Sequence, residues 1–159
     1  SLLPAIVKWK NSSLEQYEKR LSHLFSLLFW TALLGSIFAT LYGEEIIYLA
    51  FGEEFVRAKT VFILVMWSAS FAAIGSLTAR YLTVEGMEKK IALRTFVALI
   101  INVFLNIVLI PLYGIEGAAV ATLIAIAIGN YLINYLDKEL RSLVYISNKG
   151  ILLLGIFKK

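Results

Sequence analysis

The chain has 159 residues, of which 60% are hydrophobic and only 16% charged, and its mean hydropathy is +0.81. Soluble domains carry about a quarter charged residues, and a fold this small could not cover so much apolar side chain, so lipid is the expected solvent. Cysteine is absent and histidine occurs once, as His23, which excludes a disulfide framework, a thiol nucleophile and a histidine-rich metal site.

Residues 1–10 read as a short apolar tail ending in Lys8-Trp9-Lys10, a pattern suited to a membrane–water boundary. The opening Ser-Leu-Leu-Pro lacks Met, and no signal-peptide pattern precedes the first long apolar run, so the chain is expected to be a piece of a longer protein. Asn11, Ser12 and Ser13 mark a helix start. Ser12 with Glu15 and Ser13 with Gln16 both fit capping-box spacing. Leu14, Tyr17, Leu21 and Phe25 then recur at steps of three and four, which makes residues 1–23 a cytoplasmic linker with an amphipathic helix feeding into the membrane.

Four uncharged runs follow, at 24–42, 60–79, 95–113 and 117–136. The first, at 1.5 Å per residue, is about 29 Å long and matches a hydrocarbon core of about 30 Å. Gly43, Glu44 and Glu45 close it, and 46–51 is too short to cross, so it is expected to lie at the interface before Gly52, Glu53 and Glu54, a solvated external turn. Arg80 stops the second run. The third and fourth are separated only by Pro111, Gly114 and Gly117, and are expected to fold back on each other as a hairpin at a tight turn. The stretch 151–157 cannot cross, so 137–159 is a cytoplasmic or interfacial tail. The expected fold class is therefore all-α integral membrane, with four transmembrane helices.

Charge sets the orientation. The two loops on one side hold only Arg57 and Lys59 as basic residues, against Glu44, Glu45, Glu53, Glu54 and Glu116. The other 13 of 15 basic residues lie on the opposite side, so both ends of the chain are expected to be cytoplasmic. The basic excess is then a topology signal, and nucleic acid is not an expected partner.

No paired-carboxylate, phosphate-loop or metal-ligand motif appears, so neither an enzyme nor a cofactor is expected. The candidates for function are the polar residues within the spans. Asn102 and Asn106 lie four apart on one face of the third helix, and Asn130 and Asn134 repeat the spacing on the fourth beside Tyr131 and Tyr135. Such amides either hydrogen-bond between helices, worth about 0.6 kcal/mol each and at most about 2, or line a polar cavity. Arg80 abuts a span: its head either snorkels to the headgroups or meets a substrate. His23 is expected at the interface. Gly117, Ala118, Ala119, Ala121 and Ala125 form a small-residue stripe suited to close helix packing.

The run Asn102-x3-Asn106-x3-Ile110-Pro111-x-Tyr113-Gly114-x2-Gly117-Ala118-Ala119-x-Ala121-Thr122 resembles the polysaccharide flippases of the multidrug, oligosaccharidyl-lipid and polysaccharide exporter superfamily. Leu3-Pro4 before a charged amphipathic helix, Phe51-Gly52-x2-Phe55-x2-Ala58, and Gly86 in its polar turn are similar to further elements of that family in the same order. The resemblance covers essentially the whole chain as the carboxy-terminal portion of such a protein. It implies 12 to 14 helices in two lobes around a central cavity, worked by alternating access, of which this chain supplies the last four of a twelve-helix version. The implied partners are membrane lipids, a lipid-linked oligosaccharide and the missing amino-terminal lobe. The implied location is the cytoplasmic membrane, crossed several times. The family's basic residues for the lipid-linked pyrophosphate lie mostly in helices outside this chain, so none is carried over. A cation-coupled multidrug exporter of the same superfamily would want an intramembrane acid, which these spans lack. A membrane anchor subunit that transports nothing is the alternative from another class.

Overall fold

The structure, a computed structural model, describes residues 2–11 and 13–152. Ser12 and its proposed cap, and the tail stretch beyond 152 with Lys158 and Lys159, lie outside the described residues. Every regular element among them is helical.

Residues Leu2–Lys10 form helix α1 rather than an irregular tail. Pro4 is tolerated because it sits in the first turn, where its missing N–H leaves no intrahelical bond unmade. Ile6 is fully buried and anchors α1. Helix α2, Leu14–Phe51, starts where the capping pair predicts: Ser13 is extended (φ −146°, ψ 145°) and its hydroxyl accepts from the Gln16 N–H at 3.3 Å.

The expected interfacial segment 46–51 is not a separate piece, because α2 continues through it after a kink at Tyr42 (φ −119°, ψ 17°). The kink falls where the uncharged run ends. Gly43 is buried beside Ile63 and Phe62 of the next helix. A 3-10 turn, Glu53–Ala58, leads into α3, Lys59–Val84. That helix does not stop at Arg80. Tyr81 and Leu82 are buried, and their packing carries it on to the turn at Glu85 and Gly86.

Helix α4, Glu88–Asn130, is interrupted at Gly114 (φ 59°, ψ −135°). A straight helix would hold Arg94 and Gly129 about 50 Å apart. Instead Arg94 Nε donates to the Gly129 carbonyl at 3.0 Å, and Asn102 Nδ2 donates to Thr122 Oγ1 at 3.3 Å. The chain therefore reverses at Gly114, giving two antiparallel arms, 88–113 and 115–130. A side chain at that φ is strained, so glycine fits the reversal.

The second arm ends at Asn130, six residues before the expected limit at Leu136, and a 3-10 turn, Leu132–Tyr135, follows. The last carbonyls are already engaged by Arg94, and the Tyr131 and Tyr135 hydroxyls turn toward Asn148 of the final helix. That helix, α5 (Arg141–Ile151), lies within the expected tail. Leu143, Ile146 and Gly150 form its buried face, and Gly150 packs on the backbone of Ser22 in α2.

Among the described residues, three helical stretches are long and apolar enough to cross a membrane: Leu14–Phe51, Glu53–Val84 and Glu88–Tyr135. The buried core does not run along them evenly. It gathers at one end, where α1, the start of α2, the end of α3 and α5 meet around Leu21, Phe25, Leu77, Leu82, Leu143 and Ile146. The hairpin of α4 stands with most of its outer surface open.

Candidate functional site

The polar side chains of the hairpin form a ladder between its arms. Asn106 Nδ2 donates to Asn102 Oδ1 (2.9 Å), Asn102 Nδ2 donates to Thr122 Oγ1, and Thr122 Oγ1 donates to the Ala118 carbonyl (2.9 Å). The small stripe on the second arm makes this possible, since Gly117, Ala119, Ala121 and Ala125 are buried and hold the arms close. Asn106 Oδ1 is buried without a hydrogen-bond partner. Pro111, Gly114 and Gly117 all lie at the reversal.

Asn130 and Asn134 do not repeat this ladder, because Asn134 sits in the 3-10 turn beyond α4. The Asn130 side chain lies against Gly75 of α3, where a β-carbon would clash with it. The Asn130 carbonyl accepts from Arg94 Nη2 (3.1 Å) and from Asn134 Nδ2 (3.2 Å). The four asparagines therefore form two groups, one along the hairpin and one at its base.

Arg80 keeps its head close to its own helix. Its Nη1 donates to the Ser76 carbonyl (2.9 Å) and to the Ser76 hydroxyl. Side chains on a helix lean toward its amino terminus, so near the carboxyl end of α3 the guanidinium turns away from Glu85 and the polar turn.

Arg94 is the residue that sequence reasoning missed, since it counted only as one of the 13 basic residues on the cytoplasmic side. Only 6% of it is exposed, and it forks onto two carbonyls at the carboxyl end of the second arm. Those carbonyls have no intrahelical donor, and the negative end of the helix favours a cation there. The signal was present in the spacing. Arg94 lies 18 residues before Leu112 and Asn130 lies 18 after it, as Asn102 and Thr122 each lie ten away.

Further ties cluster at the same end of the molecule. Lys10 Nζ donates to the Val84 carbonyl and to Glu85 Oε2, both at 3.0 Å, and Tyr17 OH donates to Glu85 Oε1 at 3.2 Å. Burial first, and the Glu85 carboxylate second, push the Tyr17 phenol upward. Lys90 bridges Asp137 and Glu139, the latter at 2.8 Å. The hydrogen bond from Lys90 holds the Asp137 carboxyl below its usual range, and the same bond raises the Lys90 ammonium. Lys90 and Asp137, with Leu93, Arg94 and Ile133, border a hollow of about 300 Å³. The opposite end holds a larger acidic hollow of about 550 Å³ between Glu44, Glu45 and Glu53, and one ion pair, Lys59–Glu44 at 3.1 Å.

Nearly all of these polar groups tie helices together. The arrangement can hold a bundle rigid at one end.

The chain is similar to a curated relative from Haloferax volcanii named "Probable low-salt glycan biosynthesis flippase Agl15", with 27% identity over 136 residues. The match covers 83% of this chain but 28% of the relative, so the chain spans little more than a quarter of that protein's length. No family model matches the chain. No solved structure matches it. The flippase resemblance of the Asn-Pro-Gly run is thus matched by a comparison over most of the chain, and apolar helices of membrane-spanning length accord with it.

Proposed function

We propose, taking that likeness as the premise, that the chain is part of a transporter that moves a lipid-linked oligosaccharide across the cytoplasmic membrane by alternating access. The likeness to a protein named as a glycan biosynthesis flippase carries this reading. The fold supports it in two respects. The hairpin arms, counted separately, would give four spans with α2 and α3, and the charge asymmetry accords with cytoplasmic chain ends. The carboxy-terminal four helices of a twelve-helix protein would have this topology, and the rest of the length would come from an amino-terminal portion.

In this scheme the chain works as a preassembled unit. The Asn102–Asn106–Thr122 ladder keeps the hairpin arms together while the unit moves, and Asn130 against Gly75 joins the hairpin to α3. Alternating access needs parts that rotate without deforming, and amides locked between helices serve that need better than a free polar lining. An oligosaccharide headgroup would pass through a polar path while its lipid tail stayed in the bilayer.

The test is reconstitution of the full-length protein in vesicles with a fluorescent lipid-linked oligosaccharide, followed by a membrane-impermeant quencher or glycan-cleaving enzyme. Protein-dependent arrival of the headgroup in the opposite leaflet is expected. A folded preparation that moves none would instead support an anchor.

A further inference from the structure

The charges around the start of the hairpin do not balance. Lys90 is matched by Asp137 and Glu139, whereas Arg94 and Lys138 have no carboxylate partner among the described residues. All three cations border the hollow of about 300 Å³ between the start of the first arm and the turns after the second. Among the described residues Asp137 is the only carboxylate that borders it, and Lys90 already neutralises it. The hollow is left with an excess of positive charge.

Arg94 makes that excess costly. A guanidinium carries five N–H donors. One on Nε and one on Nη2 go to the Gly129 and Asn130 carbonyls, and the others have no partner among the described residues. The helix end that receives them supplies only about half a negative charge, so part of the cation stays unmatched. Arg94 is only 6% exposed, too buried for water to surround it, and a buried charge is stable only beside a counter-charge. The space it borders is the hollow.

The surroundings indicate what kind of anion fits. Leu93 and Leu136 also border the hollow and are 58% and 84% exposed. From Leu93 an exposed apolar stripe runs along the first arm through Phe96, Ile100, Phe104 and Ile107, at steps of three and four. Between residues 93 and 107 the helix rises about 21 Å, and one leaflet of hydrocarbon is about 15 Å deep. A small soluble anion would leave the stripe uncovered. An amphiphile with a phosphate head and an acyl tail covers both.

We propose that the hollow holds the phosphate of an anionic phospholipid between Lys90, Arg94 and Lys138, with an acyl chain laid along the stripe from Leu93 to Ile107. This lipid is resident, a part of the assembled protein rather than its cargo. The inference rests on the membrane-spanning part of the functional reading alone and does not depend on what the protein moves.

The experiment is lipid binding by the full-length protein in non-ionic detergent, read by native mass spectrometry with dioleoyl phosphatidylglycerol and dioleoyl phosphatidylcholine as probes. Phosphatidylglycerol is expected to bind about tenfold more tightly, since its net charge meets two unmatched cations at about 6 Å in water. Arg94 is left in place, because its loss would loosen the hairpin. Lys138 is exposed and outside every ion pair among the described residues, so Lys138→Glu tests the site with the fold intact. It is expected to weaken phosphatidylglycerol about tenfold, the effect of two units of charge at the same distance. Lys89→Glu makes the same change on an exposed residue outside the hollow, and is expected to cost less than twofold.

Equal binding of the two lipids, or equal losses in the two variants, would overturn the site and leave only the general charge of this end. Displacement of phosphatidylglycerol by glycerol phosphate at equal concentration would overturn the lipid in favour of a soluble anion. Binding is read without transport, so its failure is distinguishable from a failure to move a lipid-linked oligosaccharide.

Discussion

The base of the bundle and the hairpin of α4 are built by opposite means. At the base, α1, α2, α3 and α5 bury Phe25, Leu21, Leu77, Leu82 and Ile146 and surround them with Lys10–Glu85, Arg94–Asn130 and Lys90–Asp137 ties. The hairpin has almost no buried apolar side chain larger than alanine, and its arms are held by small residues and one amide ladder. The difference follows from solvent. Where water is near, burying apolar area is favourable and gathers a core. In hydrocarbon that drive vanishes, and close contact of small residues with hydrogen bonds between arms remains.

The largest expected effect separates the two regions directly. Phe25 is fully buried in the base, whereas Phe104 is 64% exposed on the hairpin. Phe25→Ala is expected to destabilise the full-length protein by about 3–5 kcal/mol, through lost transfer energy and the cavity left behind. Phe104→Ala is expected to change stability by no more than about 0.5 kcal/mol, because lipid or detergent fills the space. Reversible unfolding in mixed micelles measures both. Equal losses would mean that the outer arm packs against protein, and the contrast between the regions would fail.

Arg94 is where the two regions join, and its removal is expected to have the next largest effect. Arg94→Ala leaves the Gly129 and Asn130 carbonyls without the donor from the first arm. The expected cost is about 3 kcal/mol, since bonds to a charged group are worth roughly 1.5–3 and partial relief comes from water at the base. Arg94→Lys should recover less than half of it, because an ammonium cannot fork onto two carbonyls as a guanidinium does. Amide exchange at Tyr131 and the following turn should accelerate in both variants while Asn102 and Thr122 stay protected. Uniform acceleration along both arms would show that the ladder depends on the base.

Much of this contrast could be read in the sequence. The Ser13 cap and the reversal at Gly114 depend on local chemistry, and the structure places each where spacing predicts. What escaped depended on partners distant in sequence. Leu2–Lys10 looked like a tail because the burial that makes it a helix comes from residues of α2 and α3 that cover Ile6. The fourth run looked uniform to Leu136, yet Arg94, more than 30 residues earlier, fixes where its helix ends. Arg80 ends the second uncharged run, and the helix goes on past it because Tyr81 and Leu82 are buried.

The smallest expected effect concerns the strap between the second arm and α5, where Lys90 holds Asp137 and Glu139. Because the folded Asp137 carboxyl sits below its ordinary value, its contribution is complete above that value, near 3.8, and is lost as pH falls through the lower folded one. The raised Lys90 ammonium contributes below its ordinary value of 10.5 and is lost as pH rises through the higher folded one. Between these limits the pair gives no pH dependence, so stability of the strap should be flat from about pH 5 to 9 and should fall at both extremes. Both partners face water, and salt screens them. Lys90→Met should therefore lower the melting temperature only slightly at neutral pH, flatten the acid limb attributable to Asp137, and show a smaller difference from the parent in high salt. A large salt-independent loss would place Lys90 with Arg94 among the buried ties, and the boundary between the water-built base and the rest would lie beyond the strap.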